Sequence, residues 1–176
     1  MMLSLCLTLV VNATPAPRLV QLLSTIDTPV TRAALEEAGG AQTVTTLHAL
    51  ATDPTAPTAL RRAAISALGH FPTQATRDVL STLLREDDAM LRKVALDALG
   101  FAFVKDDVVE ALLSAALSDD SPVLRRSALR GLARRPTRSA RMLLERRLGI
   151  ERDVETRALL EQALAAMGRV QSRHAE

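Results

Sequence analysis

An arginine recurs at positions 61, 92, 125 and 157, and each time a leucine follows seven residues later, at 68, 99, 132 and 164. The steps between copies are 31, 33 and 32 residues. The surrounding segments Ala59–Gly69, Met90–Gly100, Val123–Ala133 and Glu155–Ala165 align without gaps, and a weaker copy, Thr31–Gly39, precedes them by 29. Self-similarity at such a period means one supersecondary unit used repeatedly. Within a copy the apolar residues fall on one stripe of a helix: Leu124, Ala128, Leu129 and Leu132 stand at i, i+4, i+5 and i+8. A second amphipathic segment lies upstream of each copy. Val79, Leu80, Leu83 and Leu84 form one, Val108, Val109, Leu112, Leu113, Ala116 and Leu117 another, and Met142, Leu143, Leu144 and Leu148 a third. Polar turns containing Asp53, Glu86, Asp119 and Glu151 join the two segments, with acids and Ser121 suited to helix N-termini and Pro122 to a first helical turn.

Each unit therefore reads as a helical hairpin of about 31 residues that cannot bury both of its faces alone, so neighbours must stack. Composition agrees. The apolar class is 48% of the 176 residues, but aromatics are 2% (three Phe, no Tyr, no Trp), so the core is built from Ala, Leu and Val. Seven Gly and eight Pro leave little turn material for strands. The expected fold is all-α: a right-handed α-solenoid of about five hairpins, at 17–40, 41–71, 73–103, 105–135 and 137–168, followed by a polar tail over 169–176. Residues 1–16 contain an apolar run from Leu3 to Val11 and then small residues. They read either as a signal-like segment or as an N-terminal capping helix. The compartment accordingly stays open between the cytoplasm and, if that segment is cleaved, an extracytoplasmic or periplasmic location.

Lone residues narrow the chemistry. One cysteine, Cys6, permits neither an intramolecular disulfide nor a cysteine-rich zinc site. His48, His70 and His174 have no ligand spacing. No apolar run reaches membrane-span length, no phosphate-cradling glycine motif occurs, and no nucleophile–base pair emerges from spacing. Neither a cofactor nor a metal is expected, and the chain reads as a non-enzyme.

The stretch Leu117-Ser-Asp-Asp-Ser-Pro-Val-Leu-Arg-Arg-Ser-Ala-Leu-Arg-Gly-Leu132 resembles HEAT repeats (the armadillo-type family). The likeness is to the short bacterial kind also seen in bilin-lyase-like proteins. Glu86–Leu99 is nearly as similar, with Glu86 in the aspartate position and Ala89 in the proline position. The copy at 53–68 has two extra residues between Asp53 and Arg61, and the last has Leu160 where alanine is usual. The resemblance covers roughly 17–168 and implies that second helices line a concave face where partners bind. It also implies that Arg61, Arg92, Arg125 and Arg157 bond the acids of neighbouring turns, Asp53, Glu86, Asp119 and Glu151, as a structural ladder along the stack. Acid and arginine are six apart at 86/92, 119/125 and 151/157.

Charge then picks out candidate contact residues. Residues 1–119 hold 9 basic and 13 acidic side chains, whereas 120–176 hold 13 and 7. The position after the repeated arginine is Arg62, Lys93 or Arg126, and in the fourth repeat Arg126, Arg130 and Arg134 share one helix face. From Arg125 to Arg147 there are nine arginines and a single acid, Glu145, with Arg138 and Arg141 crowding the next helix. The candidate partner-binding set is therefore Arg62, Lys93, Arg126, Arg130, Arg134, Arg138 and Arg141. Phe101 and Phe103 are expected in the core, so no aromatic is expected among these arginines and base stacking is disfavoured. Three functions remain. The first is a non-catalytic scaffold or adaptor that binds another protein, with an acidic surface, through the concave face. The second is association with nucleic acid through the arginine-rich surface. The third is a lyase-like chaperone of a cofactor-bearing protein, for which Asp97 is the inward-facing carboxylate.

Overall fold

The computed structural model describes residues 17–25, 30–135 and 137–173, with side chains as far as Arg169, so the 1–16 segment lies outside the described residues. All regular structure among them is helical: α1 Pro17–Leu23, α2 Arg32–Gly39, α3 Thr43–Thr52, α4 Thr58–Leu68, α5 Gln74–Leu83, α6 Ala89–Ala102, α7 Asp107–Ala116, α8 Pro122–Ala133, α9 Arg138–Leu148 and α10 Val154–Arg173. A 3-10 turn, Gly40–Gln42, joins α2 to α3. The architecture is an all-α solenoid.

Short polar side chains start the helices by accepting bonds from N–H groups that have no intrahelical partner. Thr31, Thr73, Asp88, Asp106 and Thr137 do so from Ala34, Thr76, Met90 and Leu91, Val109, and Ala140. Asp153 serves α10 by accepting from the Thr156 N–H. Ser121 makes no side-chain cap, and there Pro122 starts α8 with its φ already helical.

The stripe read from the repeats is the core. Leu68, Leu99 and Leu132 are fully buried, as are Ala64, Ala95 and Ala128 one turn earlier. In the last repeat Leu160 takes the alanine position and is buried too, whereas Leu164 is half-buried. α4, α6, α8 and α10 pack successively on one another, each also on the preceding helix of its own hairpin. In a curved stack the more closely spaced layer is the inner one, which makes the second helices the concave face.

Small residues set that spacing. A Cβ on Gly69 would lie 3.7 Å from the Ala98 Cα, and a Cβ on Gly100 would lie 2.6 Å from the Gly131 Cα. The two contacts are the same contact one repeat apart. At the second, α6 and α8 meet backbone to backbone, closer than any side chain permits.

The N-terminal pair departs from this pattern. α1, not α2, takes the place against α4, while α2 runs through the 3-10 turn into α3. The turn hinges on Gly40 at φ 57°, a conformation glycine adopts without a Cβ penalty. At the other end α10 continues to Arg173, so the 168/169 boundary drawn from polarity falls inside a helix whose last described core residue is Met167.

Candidate functional site

The small residues Gly69, Ala98, Gly100 and Gly131 form the floor of a groove of about 530 Å³ across α4, α6 and α8. Side chains at helical spacing form its walls: Ser66 and His70 from the α4 side, Lys93, Asp97 and Phe101 from α6, and Ser127, Arg130 and Arg134 from α8. Close helices thus make the floor flat, and the longer residues one turn apart rise from it.

Two sets of contacts organise the groove. Lys93 Nζ donates to Asp97 Oδ2 at 2.7 Å, and Arg130 Nη2 lies 3.5 Å from Asp97 Oδ1 and donates to Ser127 Oγ at 3.1 Å. Phe101 is the second centre. The Arg134 guanidinium sits 5.2 Å from its ring centroid, and the His70 ring meets it edge-on at 6.2 Å. A cation over an aromatic face is held by the ring quadrupole. Phe101 is 52% exposed, against the expectation that it fills the core. Phe103, two residues on, is half-buried against the core instead. The helix carries Phe101 around to the inner face, so an aromatic does stand among the arginines.

Of the seven candidate contact residues, three line the groove: Lys93, Arg130 and Arg134. Arg62 is exposed on α4 beyond its edge. Arg126 is tied to the next repeat instead, 3.0 Å from Asp153 and 3.2 Å from Glu155. Arg138 and Arg141 belong to α9, a first helix, and Arg141 pairs with Glu145 at 2.7 Å.

The repeated arginines bind main chain and acid together. Arg125 Nη1 donates to the carbonyls of Asp119 and Asp120, both at 2.9 Å, while Nε and Nη2 grip both carboxylate oxygens of Glu151 at 2.9 and 2.8 Å. Arg92 donates to the Glu86 and Asp87 carbonyls, and Arg157 to the Leu148 and Glu151 carbonyls. Arg61 reaches the Ala51 carbonyl and the Glu86 carboxylate, the latter at 2.6 Å. The six-residue spacing is thus served by the carbonyl of the acidic residue, and for Arg61 and Arg125 the carboxylate partner comes from the following repeat. Asp53 and Asp119 use their carboxylates locally, accepting from Thr55 and from the Ser121 N–H. The two Thr55 bonds hold Asp53 below the usual carboxylate range.

Glu151 is the strongest node. Burial opposes its ionisation, but bonds from Arg125, Arg147 and the Asp153 N–H outweigh this and hold its pKa at about 2. Arg135, also within the arginine-rich run, is buried, donates to the Phe103 and Asp106 carbonyls, and has its pKa lowered by burial. Its Nε has no partner. Repeat spacing alone did not single out Arg135. The signal was a second arginine just after the repeated helix, ahead of a proline.

Among the described residues no group of His, Cys, Asp and Glu could hold a metal ion, and no helix is long and apolar enough to cross a membrane. Stacked hairpins with a cationic, part-aromatic inner groove define a repeat protein of the α-solenoid class. HEAT repeats match residues 16–100 and 83–165, and the chain belongs to the HEAT-repeat family. Comparison with curated proteins gives no match. HEAT repeats are commonly protein-interaction scaffolds and typically non-catalytic.

Proposed function

We propose that this chain is a non-catalytic scaffold that holds an acidic segment of another protein in the groove over α4, α6 and α8. The observation that carries this is Phe101, 52% exposed beneath the Arg134 guanidinium on a face with three cations and one carboxylate. An exposed aromatic flanked by arginine is the composition of an interface anchor. The groove is short, which suits a segment rather than a long polyanion.

The same geometry weighs against nucleic acid. Of the nine arginines in the rich run, Arg125, Arg126 and Arg147 are mostly covered and pair with acids, and Arg135 is buried. Charge spent inside the protein is not offered to phosphates, so counterion release has less to work with than the nine arginines suggest. For the lyase-like alternative, Asp97 is already ion-paired with Lys93 and Arg130.

The test is affinity capture from an extract of the source cell with wild type and with the double variant Phe101→Ala, Arg134→Glu. A protein with an acidic segment that is retained by wild type and lost by the variant, both melting alike, is the expected result. An identical set of captured proteins refutes the groove as the docking site.

A further inference from the structure

The groove carries its own anion. Asp97 lies one helical turn after Lys93 on α6 and across from Arg130 on α8, with its two oxygens at 2.7 and 3.5 Å from those cations. Its side chain is 35% exposed, open to the groove, and it is the only carboxylate among the described lining residues. Arg134, one turn beyond Arg130, is set on the Phe101 ring and pairs with no carboxylate among the described residues. A partly exposed pair at 3.5 Å is weak and exchanges readily. An arriving carboxylate therefore meets two unlike cations: Arg130, which already has an anion, and Arg134, which has none.

Resting on the reading that the groove takes an acidic segment, we infer that Asp97 is a resident competitor that sets its affinity and limits what a second ligand acid gains. Swapping Asp97 for one ligand carboxylate at Arg130 leaves the charge balance there unchanged. The first acid of a segment gains at Arg134, where the planar fork can take a carboxylate side-on, and a neighbouring second acid gains at Arg130 only as far as Asp97 gives it up. Asp97 also repels whatever anion binds beside it. One charge at roughly 6 Å in a solvent-rich dielectric changes affinity by about three- to tenfold at low salt.

The experiment is fluorescence anisotropy at low ionic strength with a fluorescein-labelled acidic hexapeptide of glutamates around one leucine. A matched peptide with a single glutamate is titrated beside it. The proteins are wild type, Asp97→Asn, Asp97→Ser, Arg134→Gln and Asp78→Asn. Asp78, on α5, is 61% exposed and controls for net charge. Both Asp97 variants should bind the hexapeptide about three- to tenfold tighter than wild type, and Asp78→Asn should match wild type. The monoacidic peptide, satisfied at Arg134 alone, should gain less, so the preference for the polyacidic peptide should widen when Asp97 is gone, and Arg134→Gln should weaken binding. If Arg134→Gln weakens binding but both Asp97 variants match or fall below wild type, the role of Asp97 is overturned while the acidic-segment reading stands. Equal gains for Asp78→Asn and the Asp97 variants overturn it too, as a bulk charge effect. If no protein binds the hexapeptide, or duplex DNA binds wild type more tightly than the peptide does, both fall.

Discussion

Replacing Glu151 by Gln should destabilise the protein by about 3 kcal/mol at neutral pH, and the loss should disappear in acid. Glu151 is 3% exposed and accepts from Arg125, Arg147 and the N–H groups of Arg152 and Asp153. Its carboxyl titrates at about 2 instead of 4.5. Each pKa unit corresponds to about 1.4 kcal/mol, which gives the quoted magnitude. Breaking one side of a buried pair costs a similar amount, because the Arg125 guanidinium stays behind with its charge unmatched. Folding depresses this pKa, so its contribution is complete above 4.5 and is lost as pH falls through about 2. The assay is urea unfolding of wild type and Glu151→Gln at pH 7, 5 and 2.5, with amide hydrogen exchange of α10 because the end repeat can open separately. The gap should be about 3 kcal/mol at pH 7, nearly as large at pH 5, and below about 1 kcal/mol at pH 2.5. A gap under about 1 kcal/mol at pH 7, or one unchanged at pH 2.5, would refute the view that this ion pair joins the fourth and fifth hairpins.

Further outcomes follow from packing. Gly100→Ala and Gly131→Ala each push a Cβ into the α6–α8 crossing, at 2.6 Å from backbone and 2.9 Å from Leu113 respectively. Each should lower stability by about 1–3 kcal/mol in chemical denaturation, with Gly100→Ala the worse because backbone cannot step aside. Leu132→Ala removes a fully buried side chain and should cost about 2–5 kcal/mol, read from the same curves. Arg135→Lys keeps the charge but cannot span the Phe103 and Asp106 carbonyls with a planar fork. It should cost about 1–3 kcal/mol and speed amide exchange in the α6–α7 turn, whereas unchanged exchange would show that the turn does not depend on Arg135.

The hairpins were legible because burial imposes period on sequence. Leu68, Leu99 and Leu132 repeat in the chain because they repeat in space, and the alanines one turn before them do the same. The pairing of charges was less legible. Within 125–147 the sequence shows nine arginines and one acid, which suggests a bare cationic surface. Several of them find partners in neighbouring repeats instead, as in Arg125–Glu151 and Arg126–Asp153. The same relation links Arg61 to Glu86, 25 residues on. Acids about one period downstream were the signal, and a search confined to one hairpin passes over them. Phe101 was misplaced for a different reason. It stands two residues past Leu99, the end of the repeated stripe, and two steps of about 100° around the helix turn a side chain from core to groove. The place of α1 against α4 had no sequence signal, because the first copy, with Arg32 in the arginine column but Gly39 in the leucine column, falls on α2 and not on α1.

The central claim is that the inner groove, and not the outer helices, meets the partner. A photo-crosslinking amino acid placed at Phe101 reports on the first, and one at Val108, 54% exposed on α7, reports on the second. Irradiation in the source cell should give a discrete protein adduct from position 101, mapping to an acidic segment of the partner, and none from position 108. Adducts from position 108 alone, or the same adducts from both, would contradict the account.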